Sequence, residues 1–131
     1  MKSATRRLAG ISVLVVDDDD DARELTELLL RQAGATVRSA SSAREALDLF
    51  KAATPRVIVA DIAMPQQDGM WLLREVRSVR GVPAIPIIAF TALALEHDRQ
   101  KILAAGFTDH IIKPADPEEI VQAVVRATTS T

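Results

Sequence analysis

The sequence predicts an α/β fold in three layers, with a parallel five-stranded sheet between two layers of helices. Three observations predict it. Short, continuous runs of β-branched and apolar residues recur along the chain, as strands buried on both faces require. Between them lie segments with apolar side chains at steps of three and four, the pattern of amphipathic helices. The two patterns alternate five times, and that alternation builds parallel sheets with right-handed crossovers. The 131 residues suit one domain.

The first apolar run is Val13-Leu14-Val15-Val16. A helix follows, with Ala22, Leu25, Leu29 and Ala33 as its inward stripe and Gly34 as its stop. Thr36-Val37-Arg38-Ser39 alternates polar and apolar, as an edge strand does. Ser42 caps a second helix, with Glu45 at capping-box spacing and Ala43, Ala46, Leu47 and Phe50 facing inward. Val57-Ile58-Val59-Ala60 is the third strand, and a helix from about Met70 to Val79 carries Leu72, Leu73 and Val76. The run Ile85 to Phe90 is the fourth strand, followed by a helix with Leu95, Ile102 and Leu103 that stops at Gly106. Ile111-Ile112 is the short fifth strand. The last helix opens at Asp116-Pro117 and buries Ile120, Val121, Val124 and Val125.

For five such strands the flavodoxin-like order 2-1-3-4-5 is the natural expectation, with the two weakest apolar runs, the second and fifth, at the edges. The folded domain is expected over 11–127, between a loose N-terminal segment, 1–10, and a loose tail, 128–131. Because about four residues follow the last helix, no output domain is expected. The chain is either a stand-alone regulator or a portion of a larger protein.

Composition narrows the chemistry. There is no cysteine, which excludes disulfides, thiolate metal sites and cysteine nucleophiles and suits a reducing cytoplasm. No apolar run approaches the ~18 residues of a membrane span. The net charge is only −2, but five of the 18 acidic residues form one run, Asp17 to Asp21. Without that run 13 acidic residues face 16 basic ones, so the carboxylates are concentrated rather than general.

Ligands of open α/β sheets bind beyond the carboxyl ends of the strands. The residues just after the apolar runs are Asp17 and Asp18, Asp61, Thr91, and Lys113 followed by Pro114. Three crowded carboxylates need a cation; oxygen-only ligands suit a hard ion, and few protein ligands completed by waters suit Mg²⁺ better than Ca²⁺. A hydroxyl and an ammonium facing that metal suit an anionic group on its far side. Lysine is scarce, four against twelve arginines, which adds weight to Lys113. Metal, carboxylates, hydroxyl and ammonium together are the equipment of phosphoryl transfer, in which a carboxylate can be the nucleophile.

These residues carry a family resemblance. Val15-Val16-Asp17-Asp18, then Val59-Ala60-Asp61-Ile62-Ala63-Met64-Pro65-Gln66-Gln67-Asp68-Gly69, then Phe90-Thr91-Ala92, then Ile112-Lys113-Pro114 stand in order and at matching spacings. Over about residues 11–127 the chain resembles the receiver domain of two-component response regulators. The resemblance implies the 2-1-3-4-5 order and a phosphoacceptor, Asp61, which takes a phosphoryl group from a histidine kinase or a histidine phosphotransfer protein. It implies Mg²⁺, with Mn²⁺ as a substitute, held by Asp17, Asp18, Asp61 and the backbone carbonyl of Ala63. Thr91 and Lys113 would bind the phosphoryl oxygens, and the Lys113-Pro114 bond would be cis. His110 falls at the family's switch position, where an aromatic side chain turns inward as the threonine moves toward the phosphoryl group. A downstream target would bind the face of the fourth helix, fifth strand and fifth helix. Such a domain is a cytoplasmic monomer or weak dimer that touches neither nucleic acid nor membrane, and it is not a metabolic enzyme. The stretches Phe90 to Ala94 and Asp109-His110 are similar to receivers fused to hybrid histidine kinases.

Plainer readings stand beside these. Asp61 could cap a helix, Thr91 could be an ordinary strand-end hydroxyl, and His110 could be a half-buried structural residue. Asp68-Gly69 reads as a turn with a positive-φ glycine opening the third helix. Asp19, Asp20 and Asp21 read as the cap and first turn of the first helix. Trp71 reads as packing and His97 as a solvated residue. The positions two after Asp61 and two after Thr91, where the family often has polar side chains acting on hydrolytic water, are Ala63 and Leu93, so slow loss of the phosphoryl group is expected. Two other functions remain open. One is a docking receiver that is never phosphorylated. The other is a haloacid-dehalogenase-like phosphatase, for which Asp17 and Asp19 fit but Asp21 stands where Thr or Val belongs.

Overall fold

Strand β1 (Ser12–Val16) lies inside a parallel sheet, with β2 (Thr36–Ala40) on one side and β3 (Val57–Ala60), β4 (Ile87–Thr91) and β5 (Asp109–Ile112) on the other. The computed structural model describes residues 6–129. The order is therefore 2-1-3-4-5, with the two least apolar strands at the edges. Helices α1 (Asp20–Gln32), α2 (Ala43–Ala52), α3 (Gly69–Ser78), α4 (Glu96–Ala105) and α5 (Pro117–Thr129) connect and follow them.

Alternate strand residues face opposite layers. Leu14, Val16, Ile58, Ala60, Ile87 and Ala89 pack toward α2, α3 and Ile102 of α4. Val13, Val15, Val57, Val59, Ile88 and Phe90 pack toward α1 and α5. The inner strands are apolar throughout, save Ser12 at the start of β1 and Thr91 at the end of β4, because both faces are covered. Each fully buried aliphatic or aromatic side chain, such as Phe50 or Leu72, contributes about 1.5–3 kcal/mol. Helix α4 is the exception: Ile102 is its one buried side chain, while Leu95 at its N-cap is 64% exposed and Leu103 is 36% exposed.

Several expectations need correction. Leu25, placed in the inward stripe of α1, is 56% exposed. Thr26 and Leu30 are buried instead, and Thr26 Oγ1 satisfies itself by donating to the Ala22 carbonyl. β5 starts at Asp109, so His110 lies inside the strand. β4 starts at Ile87, two residues later than its apolar run. The described part of the N-terminal segment is not loose: Leu8 is fully buried, and its N–H donates to the Ala33 carbonyl at 2.8 Å. At the other end α5 continues to Thr129 with Thr128 buried. Of the expected tail, Ser130 and Thr131 lie outside the described residues, as do residues 1–5 of the N-terminal segment.

Gly69 also differs from expectation. Its φ is not positive; Gln66, at +64°, takes that role in the turn. Gly69 instead sits so close to the chain before it that a Cβ would lie 2.5 Å from the Asp61 carbonyl oxygen and 2.9 Å from Ile62 Cα. Asp68 caps α3 by accepting from the Trp71 N–H at 2.9 Å, and Trp71 packs half-buried against the core.

Candidate functional site

The parallel register brings the expected residues to one mouth. Val16 pairs with Ala60 and Ala60 with Ala89, so Asp17 and Asp61 leave adjacent strands at the same level. The Asp61 N–H donates to the Val16 carbonyl at 2.9 Å, and the Asp17 N–H to the Ala40 carbonyl at 3.1 Å, which carries the ladder past the strand ends. Thr91 pairs with Ile112, and the Lys113 N–H donates to the Thr91 carbonyl at 2.9 Å.

Asp17, Asp18 and Asp61 each offer a carboxylate oxygen within 4.8 Å of the others. Asp17 is buried, Asp61 half-buried and Asp18 exposed, so the cluster opens to solvent on one side. Lys113 Nζ donates to Asp17 Oδ2 at 2.6 Å and to Asp61 Oδ2 at 3.0 Å. Burial alone would push the Lys113 ammonium down; hydrogen bonds and charge from Asp17 and Asp61 outweigh it and hold its pKa above the usual lysine value. The ammonium also lies 5.4 Å from the centre of the Phe90 ring. An oxygen-only donor set of this kind, with no histidine or sulfur in it, fits a hard divalent cation.

The other expected residues take different places. Thr91 ends β4 with 1% exposure, and its Oγ1 accepts a long 3.4 Å bond from the Leu93 N–H. Ala63 meets Asp61 through its N–H, which donates to Oδ1 at 3.2 Å. The Lys113-Pro114 bond is cis. His110 is 5% exposed and points inward, its Nε2 lying 2.9 Å from the Leu93 carbonyl oxygen. A carbonyl only accepts, so Nε2 donates to it, while Nδ1 has no partner among the described residues. Asp19 caps α1 by accepting from the Ala22 N–H at 3.0 Å, so the second carboxylate of the phosphatase pattern serves the helix. His97 is exposed.

Two contacts had no sign in the residue pattern. The Asp19 N–H donates to Asp17 Oδ1 at 3.0 Å, and Arg23 reaches back from α1 to the Asp17 carbonyl at 3.0 Å. Only the turn between β1 and α1 creates them.

The five-stranded doubly wound sheet thus gathers an acidic cluster, a strand-end threonine and a lysine at its carboxyl edge. The response regulator receiver domain model matches residues 13–125, and the chain belongs to that family, the receivers of two-component systems. It is 44% identical over 117 residues to a 14.6 kDa protein encoded in the sodA1 3′ region of Leptolyngbya boryana, covering 89% of each chain. It is 36% identical to the transcriptional regulatory protein GltR of Pseudomonas aeruginosa over 88% of this chain and 48% of the regulator, and so spans about half of that relative. Among solved structures, the receiver domain of the sensor histidine kinase PA1611 of Pseudomonas aeruginosa PAO1 superimposes with a TM-score of 0.85 at 31% identity, covering 93% of this chain and 100% of that one. That structure has a magnesium ion coordinated in its active-site cleft. The chemotaxis protein CheY4 of Vibrio cholerae gives a TM-score of 0.83 at 31% identity, covering 92% and 98%. Among the described residues no helix is long and apolar enough to cross a membrane.

Proposed function

We propose that this receiver takes a phosphoryl group onto Asp61 from a phosphohistidine of a histidine kinase or phosphotransfer protein. The single observation that carries the reading is the Lys113 ammonium bonded at once to Asp17 and Asp61 across the strand ends. An oxygen of the Asp61 carboxylate attacks phosphorus, the P–N bond breaks, and the imidazole leaves with the electron pair and is protonated. The product is an acyl phosphate. Lys113 offers its charge to the transferred oxygens, and Thr91, at the neighbouring strand end, offers its hydroxyl. Asp17, Asp18, Asp61 and the Ala63 carbonyl would hold Mg²⁺, which neutralises the attacking carboxylate and the phosphoryl oxygens when bound.

The donor approaches over the exposed side of α1. A largely apolar groove of about 420 Å³, lined by Leu25, Leu29, Phe90, Pro114 and Ile120, has Lys113 in its wall and so runs into the site. The target binds the α4, β5 and α5 face, where Leu95, Leu103 and Ile112 are exposed. Thr91 and His110 form the switch. A movement of Thr91 shifts Leu93, two residues on, whose carbonyl holds His110. The domain works as a signalling acceptor that takes its phosphoryl group and loses it slowly, as a cytoplasmic monomer or weak dimer.

Incubation with Mg²⁺ and a radiolabelled phosphohistidine donor tests this. The wild type becomes labelled with an alkali-labile acyl phosphate, and Asp61→Asn does not. Full labelling of Asp61→Asn refutes the assignment.

A further inference from the structure

Arg23 lies one turn into α1, yet its side chain is only 15% exposed. Its guanidinium turns back over the acidic run. Nη1 donates to the backbone carbonyl of Asp17 at 3.0 Å and Nη2 to Asp20 Oδ1 at 2.8 Å, with Glu27 4.0 Å from Nε. The remaining polar groups of Asp17 are engaged elsewhere: its N–H with Ala40, Oδ1 with the Asp19 N–H, and Oδ2 with Lys113. The carbonyl that Arg23 holds belongs to the planar peptide unit joining Asp17 to Asp18. Fixing that plane fixes the N and Cα of Asp18, the base from which its side chain leaves the backbone.

We infer that Arg23 is a positioning residue for the metal site, bracing the Asp17–Asp18 peptide so that both carboxylates face Asp61. The inference rests on the reading of Asp17, Asp18 and Asp61 as a Mg²⁺ site. Two effects of Arg23 have opposite signs. Its positive charge repels a cation, so charge alone makes wild-type Mg²⁺ binding weaker. Its fork holds the ligands in place, so geometry makes that binding tighter. Outer-shell partners of metal ligands are typically worth ~10–100-fold in affinity, and geometry therefore dominates.

The test measures Mg²⁺ affinity by isothermal titration for the wild type, Arg23→Lys and Arg23→Met, with melting curves of the metal-free proteins alongside. Both variants bind about tenfold more weakly. Arg23→Lys keeps the charge but loses the planar fork, and it carries the test if Arg23→Met fails to fold. Raising Mg²⁺ recovers labelling by a small acyl phosphate in both variants relative to limiting Mg²⁺, which places the loss in metal binding. The amide resonance of Asp18 in the metal-free protein shifts in both. Unchanged or tighter Mg²⁺ binding in the folded variants, with a binding wild type, overturns the role of Arg23 alone. Absence of Mg²⁺ binding in the wild type overturns the site reading beneath it.

Discussion

The ammonium of Lys113 rests 2.6 Å from Oδ2 of Asp17, across 96 positions of sequence. It bridges the turn after β1 to the end of β5, and its second bond, to Asp61, brings in β3. One side chain thus offsets the repulsion between two carboxylates whose side chains are 5% and 12% exposed. Lys113→Met leaves them without that cation, and removal of one partner from such a pair is costly. The metal-free variant is expected to lose about 2 kcal/mol, a fall in Tm of roughly 6–10 °C. Millimolar Mg²⁺ is expected to restore more of the Tm in the variant than it adds to the wild type. Equal melting of the two proteins without metal contradicts this.

The same pair has a signature at alkaline pH. The Lys113 pKa is raised above its ordinary 10.5, because Asp17 and Asp61 outweigh the cost of burial. A group raised on folding adds stability that is complete below its unfolded pKa and lost as pH climbs through its folded value. The Tm gap between wild type and Lys113→Met should hold from neutral pH to about 10.5 and close only above it. Calorimetry across that range decides, and a gap that closes below pH 9 counts against the ion pair.

Gly69→Ala places a methyl group where the Asp61 carbonyl oxygen and Ile62 Cα already are, at 2.5 and 2.9 Å. The obstruction is backbone, so the loop itself must move. A cost of about 2 kcal/mol is expected from denaturant midpoints, with slower labelling because the displaced segment carries Asp61. Wild-type stability together with wild-type labelling removes the close approach as the reason for glycine.

Neither Ala63 nor Leu93 has a side chain able to orient a hydrolytic water. The phosphorylated domain is expected to keep its label for many minutes or longer, and a half-life of seconds is the contrary result. Ala63→Asn and Leu93→Glu, both at exposed positions, should each shorten it, the glutamate by roughly tenfold or more through general-base assistance.

Leu25 is 56% exposed, so Leu25→Glu leaves the core intact. It puts a charge into the groove beside Lys113. Transfer from a phosphohistidine protein should slow by ~10-fold, while labelling by a small acyl phosphate stays unchanged. Equal loss with both donors means that the groove serves the chemistry and not the partner.

Much of the fold was legible because the central strands are apolar on both faces and each helix but α4 carries a clear stripe. The gathering of Asp17, Asp61 and Lys113 followed from a topological rule that acts on whole strands, so side-chain detail was not needed. What stayed hidden depends on local geometry. Leu25 and Thr26 are neighbours on α1, and a helical period cannot say which of them meets the sheet when threonine bonds to its own backbone. Gly69 looked like a turn glycine because spacing is silent about how closely two segments approach. His110 showed no rotamer in the sequence, and its inward ring depends on a carbonyl seventeen residues away. Leu8 lay in a segment too short and basic to read as core.

Ile102 is the one fully buried side chain that helix α4 gives to the body of the domain. Local opening free energies scale with buried apolar contact, so this helix sits near the bottom of the molecule's stability range. Undocking one aliphatic side chain costs about 1.5–3 kcal/mol, which new hydrogen bonds to a charged group can match. An event at the carboxyl ends of β3 and β4 therefore need not reshape the sheet to be felt outside. It has only to tip the balance of the one helix that the fold holds most lightly.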